Sequence, residues 1–373
     1  MERMLFLTRK YPPSVGGMEN GLYQMAKNMP DDNLDIHVVA LGKSQKNLIW
    51  FFPYIVIYTI FNAHKYDYLF IGDGLLCLCG KIAKAINPRI KRIIIIHGLD
   101  ITYPNSIYQL YLKSNLKRAA DIYACNSHYT EKTLNKWGIQ AQDGACTITH
   151  GIDIHKYDGM TPIDNNSFRQ KYHIPNSALI ILTSGRLVRR KGVEWFIHNV
   201  MPHLNNAIYL VVGEGEEREQ ISSAITSHSL DNKVLLLGRV SDQDLLDCYF
   251  NADLFVMPNI HIENNVEGFG LVALEASLAG TLVIASDADG IPDAVIDKKN
   301  GILIKSGDSI AFIEVINDIE VNRKDYANKA REYQAYTKTN CSWRNTCQQM
   351  KAALRQDISQ EHPYLPHPKN IVQ

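Results

Sequence analysis

Glu267-Gly268-Phe269-Gly270-Leu271-Val272-Ala273-Leu274-Glu275 sets two carboxylates eight positions apart around an aromatic residue flanked by glycines. Leu271 to Ala279 reads as a helix, with Gly280 placed to end it. Asp253 to Met257, closed by Pro258, reads as the buried strand before it. The unit is strand, long loop, helix. Leu271 and Val272 open the helix, where free backbone N–H groups and a partial positive charge suit a phosphate. Gly268 and Gly270 let the backbone approach a ligand closely. Glu275 falls one turn into the helix, where its two oxygens can accept from the two hydroxyls of a ribose. Glu267, in the loop ahead, can meet a sugar beyond the phosphates. The stretch predicts a cradle for a sugar nucleotide.

The whole chain is consistent with such a site. Its 373 residues leave room for two domains. A 46% hydrophobic and 21% charged composition is that of a soluble globular protein. Zero formal net charge indicates no polyelectrolyte partner, nucleic acid included. Seven scattered cysteines read as free thiols in a reducing, cytoplasmic compartment. Met1 to Arg9 reads as a strand, not a signal peptide. The longest apolar run, Leu48 to Phe61, is interrupted by Pro53 and is short for a membrane span.

Outward from the opening stretch, strands and helices alternate. Arg3 to Thr8 is a strand, followed by the Gly16-Gly17 loop and a helix from Met18 to Met29. Strand, glycine loop, helix is a phosphate-holding arrangement, although two adjacent glycines also suit an ordinary turn. Arg92 to Ile96 is a strand delivering His97-Gly98-Leu99-Asp100 at its carboxyl end, where ligands collect in open parallel sheets. Tyr103 to Ala119 reads as one helix, with its tyrosines packed and their hydroxyls exposed. Leu179 to Ser184 is a strand ending in Gly185-Arg186-Leu187-Val188-Arg189-Arg190-Lys191-Gly192. Arg186 and Lys191 straddle that turn and can grip one diphosphate from two sides, while Arg189 and Arg190 read as surface. Gly213-Glu214-Gly215 and Gly238-Arg239-Val240 end two further strands, and Arg239 and Val240 join the expected donor site. Asp287 and Asp289 lie in a glycine-proline turn without a third ligand, so no metal is expected. The domains divide as 1–155, a polar linker over 156–166, 167–356 with its last helices able to pack back on the first domain, and a loose tail from 357 to 373.

Taken together, these elements resemble the family-4 retaining glycosyltransferases, or glycosyl transferases group 1. The resemblance spans nearly the whole chain and implies the GT-B fold: α/β, two facing Rossmann-like domains with parallel sheets and a donor cleft between them. It rests on Glu267 and Glu275 around Gly-Phe-Gly, Gly185-Arg186 with Lys191, Gly213-Glu214-Gly215, Asp287 to Pro292, His97 to Asp100 and Gly16-Gly17. It implies that Glu275 holds the ribose and Glu267 the donor sugar. Arg186 and Lys191 then fall on the diphosphate, Gly17 near it, and His97 faces the reaction centre. Activity is implied to need no metal and no cofactor beyond a UDP- or GDP-sugar donor. The chain departs from the family in a short first domain, in His150-Gly151 where Asn-Gly is usual, and in the long polar loop Asn259 to Val266.

The reaction so implied moves a hexose to a glycan or lipid-linked acceptor, as in cell-surface polysaccharide or lipopolysaccharide assembly. Two other readings stay open: an epimerase or glycoside phosphorylase of the same fold, and a non-catalytic sugar-nucleotide-binding subunit. Leu48 to Phe61 also keeps two readings. It is a helix inside the first domain's core, or a segment that docks on the inner membrane face, flanked by Lys43, Lys46 and Lys65.

Overall fold

The computed structural model describes residues 1–355 apart from Val15, Lys43 and Asn264. The tail expected over 357–373 and the flanking Lys43 lie outside the described residues. Two six-stranded parallel sheets dominate. The first comprises β1 (Glu2–Thr8), β2 (Leu34–Ala40), β3 (Tyr68–Ile71), β4 (Lys91–Ile96), β5 (Ile122–Cys125) and β6 (Ala145–Thr147), in the order β2-β1-β3-β4-β5-β6. The second comprises β7 (Leu179–Ser184), β8 (Ala207–Val212), β9 (Val234–Gly238), β10 (Leu254–Met257), β11 (Leu282–Asp287) and β12 (Ile302–Lys305), in the order β12-β11-β10-β7-β8-β9. The central strands are near-continuous apolar runs because helices cover both faces. Leu5, Leu7, Ile94 and Ile96 face one core of the first sheet, and Met4, Phe6, Ile93 and Ile95 face the other.

Each sheet reverses its winding once, at β1/β3 in the first and β7/β10 in the second. Crevices open outside the carboxyl ends of strands at such points. The last helix returns to the first sheet: Trp343, Cys347, Met350 and Leu354 of Trp343–Arg355 pack with Met4, Phe6 and Leu22. The two chain crossings are pinned together, with Ile152 N donating to Cys341 O at 2.6 Å and Thr346 Oγ1 to Thr149 O at 3.0 Å.

Two expectations need correction. Tyr103 to Ala119 is not one helix. Pro104 follows a short Leu99–Thr102 turn, and the helix proper, Ser106–Asn115, starts at Asn105, whose side chain accepts from Tyr108 N. Tyr103 is exposed as expected, but the hydroxyls of the other tyrosines are engaged. Tyr108 donates to Asp100 O at 2.5 Å, Tyr111 to Leu75 O at 2.6 Å, and nearby Tyr123 to Leu116 O at 2.7 Å. Leu48–Asn62 is a single helix containing Pro53. Phe51, Ile55 and Thr59 enter the core, so the core reading holds for one face; the opposite face is open to solvent.

Candidate active site between the two sheets

The residues that the sequence singled out lie at or next to the two switch points, joined by Gly72-Asp73, which the sequence reading passed over. Gly16-Gly17 follows β1, Gly72-Asp73 follows β3 and His97 follows β4; Arg186 to Lys191 follow β7 and Glu267 to Leu271 follow β10.

Glu267 is the centre of charge. Its Oε2 accepts from Lys191 Nζ at 2.9 Å, Arg190 Nε at 3.3 Å and Asn259 Nδ2 at 3.4 Å. Its own N–H donates to Asp289 Oδ2 at 3.0 Å. Burial pushes the carboxyl up, but Lys191 and Arg190 outweigh it and hold it below the usual range. The group is therefore a buried carboxylate anion held by two cations. Lys191 reaches it because Arg189–Lys191 form one tight 3-10 turn closed by Gly192 at φ +68°. A methyl at Gly192 would stand 1.9 Å from Pro258 O, so only glycine lets this turn lie on the end of β10. Arg190 is buried and also donates to Asn265 Oδ1 at 3.0 Å, which corrects its assignment to the surface.

Arg186, Arg189 and Arg239 are exposed, and Val240 is half-buried. Their loops are laced edge to edge, with Gly185 N on Val212 O at 2.9 Å and Gly213 N on Gly238 O at 2.8 Å. This stacks the turns after β7, β8 and β9 into one rim beside the Glu267 cluster.

The facing wall comes from the first sheet. Gly17 lies against the start of the Leu271–Ala279 helix; a methyl there would sit 3.9 Å from Leu271 Cδ1. A methyl at Gly268 would meet His97 O at 2.7 Å, so the loop before that helix touches the turn after β4. Gly270, at φ +104°, then starts the helix. His97 is buried; its Nε2–H donates to Gly72 O at 3.0 Å because a carbonyl can only accept, and Nδ1 has no partner among the described residues. Asp100 holds this turn, accepting from His97 N at 2.9 Å and Gly74 N at 3.2 Å. Beside it stands His150, 5.5 Å from the His97 ring and also against Phe269 and Trp343. Burial, with the proximity of His97 second, drives His150 down to about 3, so the ring is neutral. His128 and Asp293 close the contact between the sheets as an ion pair, and His128 N also donates to Asp293 Oδ2 at 2.9 Å.

Glu275 lies at the far end of the cradle. Its Oε1 accepts from Lys156 Nζ at 2.6 Å and its Oε2 from Tyr249 OH at 3.4 Å. One of its carboxylate oxygens is thus engaged by a lysine from the expected linker.

The structure therefore brings Gly17, His97, Lys191, Glu267, Gly270 and Leu271 to one crevice and leaves Arg186 and Arg239 on its exposed rim. Sequence reasoning missed Arg190, Asn259, Asn265, Lys156 and the part of Asp289 in holding Glu267. Asn259 and Asn265 bracket the long polar loop, and that polarity was the available signal. For Lys156 there was none, because its partner is 119 residues away.

Residues 164–338 match the family model described as Glycosyl transferases group 1. The chain is 27% identical, over 85% of its length and 89% of the other protein, to a GDP-mannose-dependent monoacylated alpha-(1-6)-phosphatidylinositol monomannoside mannosyltransferase of Corynebacterium glutamicum. It is 26% identical, over 77% of its length and 76% of the other protein, to the capsular polysaccharide biosynthesis glycosyltransferase CapM of Staphylococcus aureus. The crystal structure of Anabaena HepE in complex with UDP has the same fold. Its TM-score is 0.77 at 22% identity, covering 95% of this chain and 99% of that one.

Proposed function

We propose that this chain, which has the two-sheet GT-B fold and whose residues 164–338 match the glycosyl transferases group 1 model, is a member of that family and transfers a hexose-type sugar with retention at the anomeric carbon. The donor is a UDP- or GDP-sugar; the acceptor is a glycan or lipid-linked glycan. The observation that carries the reading is the buried Lys191–Glu267–Arg190 cluster beside the free helix start at Leu271, with Gly17 and His97 across the crevice.

The bond from the anomeric carbon to the diphosphate oxygen breaks, and a bond to the acceptor oxygen forms on the same face. The acceptor proton passes to the departing phosphate. Charge grows on the leaving diphosphate, so Arg186, Lys191 and the helix start act most strongly in the transition state. Glu267 orients the donor sugar and Glu275 the ribose. A HepE structure holds UDP, and the mannosyltransferase relative is named for GDP-mannose; both support the donor class. The names of the capsular and phosphatidylinositol mannoside relatives support a cell-surface or lipid-linked glycan as the product. Among the described residues no helix is long and apolar enough to cross a membrane.

The test is a thermal-shift panel of UDP-, GDP- and ADP-sugars, where a donor at a hundredfold its Kd adds about 2.7 kcal/mol. Glu275→Gln should weaken the responding donor by roughly 1.5–3 kcal/mol. Turnover should require an acceptor and survive excess chelator. Conversion of donor alone would make the protein an epimerase, and loss of turnover restored by magnesium would bring a metal into the site.

A further inference from the structure

The helix Leu48–Asn62 does not hide its apolar character. Ile49, Trp50, Tyr54, Ile57, Ile60 and Phe61 are all exposed, Trp50 by 79% and Phe61 by 68%. At 100° per residue they fall, with Pro53, within one arc of about 140°, opposite the buried Phe51, Ile55 and Thr59. The face does not end with this helix. Phe52 meets Tyr111 of Ser106–Asn115 edge-on at 6.1 Å, and both helices pack on Cys77–Ile86. Ile107 and Leu110 on that second helix are exposed by 82% and 67%. Two neighbouring helices therefore present large apolar side chains to solvent, an arrangement that monomeric soluble proteins seldom leave uncovered.

Within the two segments that carry this face the charge has one sign. In a chain of zero net charge, the segments 41–66 and 101–120 contain no Asp or Glu. They carry exposed Lys46, Lys65, Lys113, Lys117 and Arg118. A second copy would place cation against cation around a two-fold contact. An anionic lipid surface answers both features, taking the apolar side chains into its headgroup–acyl boundary and neutralising the rim. The geometry points to an anionic bilayer as the partner of the combined Leu48–Asn62 and Ser106–Asn115 face. This inference rests on the proposed transfer to a lipid-linked acceptor and gives that acceptor its place. The inner face of Ser106–Asn115 holds the cleft edge through Tyr108 on Asp100 O and Tyr111 on Leu75 O. Docking by its outer face therefore sets the His97 turn beside the membrane, where a glycan can reach the crevice while its lipid stays in the bilayer.

The test is sedimentation of the full chain with phosphatidylglycerol-containing vesicles and with pure phosphatidylcholine vesicles. The wild type should bind the anionic vesicles, lose them in high salt, and shift its Trp50 emission to the blue. Trp50→Ser with Phe61→Ser, and Ile107→Ser with Leu110→Ser, should each weaken vesicle binding at least about tenfold. Both should keep the wild-type melting temperature. Lys113→Glu with Lys117→Glu should also weaken binding without touching the apolar face, which guards against a misfolded double variant. Wild type that stays in the supernatant overturns the proposal, as does equal binding to neutral vesicles. Dimers abolished by Ile107→Ser with Leu110→Ser, in a protein that ignores vesicles, overturn it in favour of a second copy. A normal donor thermal shift without vesicle binding sinks the docking surface alone; vesicle binding without any donor shift sinks the sugar-transfer reading and leaves the surface standing.

Discussion

Arg190 and Lys191 share one task, and Arg189 between Val188 and Arg190 does not. All three lie in a single 3-10 turn, where successive side chains point about 120° apart. Two turn toward Glu267 and the third toward water. Removing a cation from a buried carboxylate leaves charge uncompensated. Arg190→Ala should therefore lower unfolding stability by about 3 kcal/mol, and Arg189→Ala should stay within about 0.5 kcal/mol, both by urea denaturation. Equal effects would mean that the cluster holds no buried charge. Because the carboxyl of Glu267 is depressed in the folded protein, its stabilising contribution is present above the unfolded value. It is lost as pH falls through the folded one. The four cations were legible in the sequence. Which of them turned inward was not, because a three-residue turn has too little periodicity to give it a face.

At the level of elements, the glycine turns rather than the helices set the precision of the crevice. Gly192 ends the cation turn in the left-handed region and lies on Pro258 O. Gly159 has a similar φ of +76° but nothing within 4 Å of an added methyl. Gly192→Ala should thus cost on the order of 3 kcal/mol and displace Lys191, whereas Gly159→Ala should cost about 1 kcal/mol. Melting curves of the two variants measure the difference. The sequence set Gly192 at the end of the cation run after β7, but its contact with Pro258 O came only with the fold. The break at Pro104 was readable from proline's missing N–H, and the reading of one continuous helix passed over it. The split of Leu48–Asn62 into a core face and a solvent face was not, because an all-apolar helix carries no pattern to say which side the sheet will cover.

For the whole molecule, His150 occupies the junction where the His97 turn, Phe269 and the last helix meet. Its folded pKa lies far below the ordinary 6.5. Below 6.5 the unfolded chain takes up a proton that the folded protein refuses, so stability falls with pH from 6.5 toward about 3. The upper part of that window, from about pH 6.5 to 5, lies above the ordinary carboxylate range, and a His150 variant separates this histidine from the carboxyls that burial raises, Asp100 and Asp253. His150→Asn, which restores the residue usual in the resembled family, should flatten the melting temperature across this window. An unchanged pH slope would show that His150 is not the group refusing the proton.

Sequence alone determined the alternation of strands and helices, the two glycine-bearing switch loops, and the pair Glu267 and Glu275 at either end of one loop-helix unit. Those features rest on turn chemistry and side-chain periodicity, which act within about ten residues and are written locally. Tertiary structure alone decided the partner of each charge. Arg190 meets Glu267 across 77 residues, Lys156 meets Glu275 across 119, and His128 meets Asp293 across 165. It also turned the anticipated return of the last helices into a definite contact, with Trp343–Arg355 against the first sheet. Ion pairing and burial depend on distance through space, and that distance exists only once two independently wound sheets have packed their strand ends against each other.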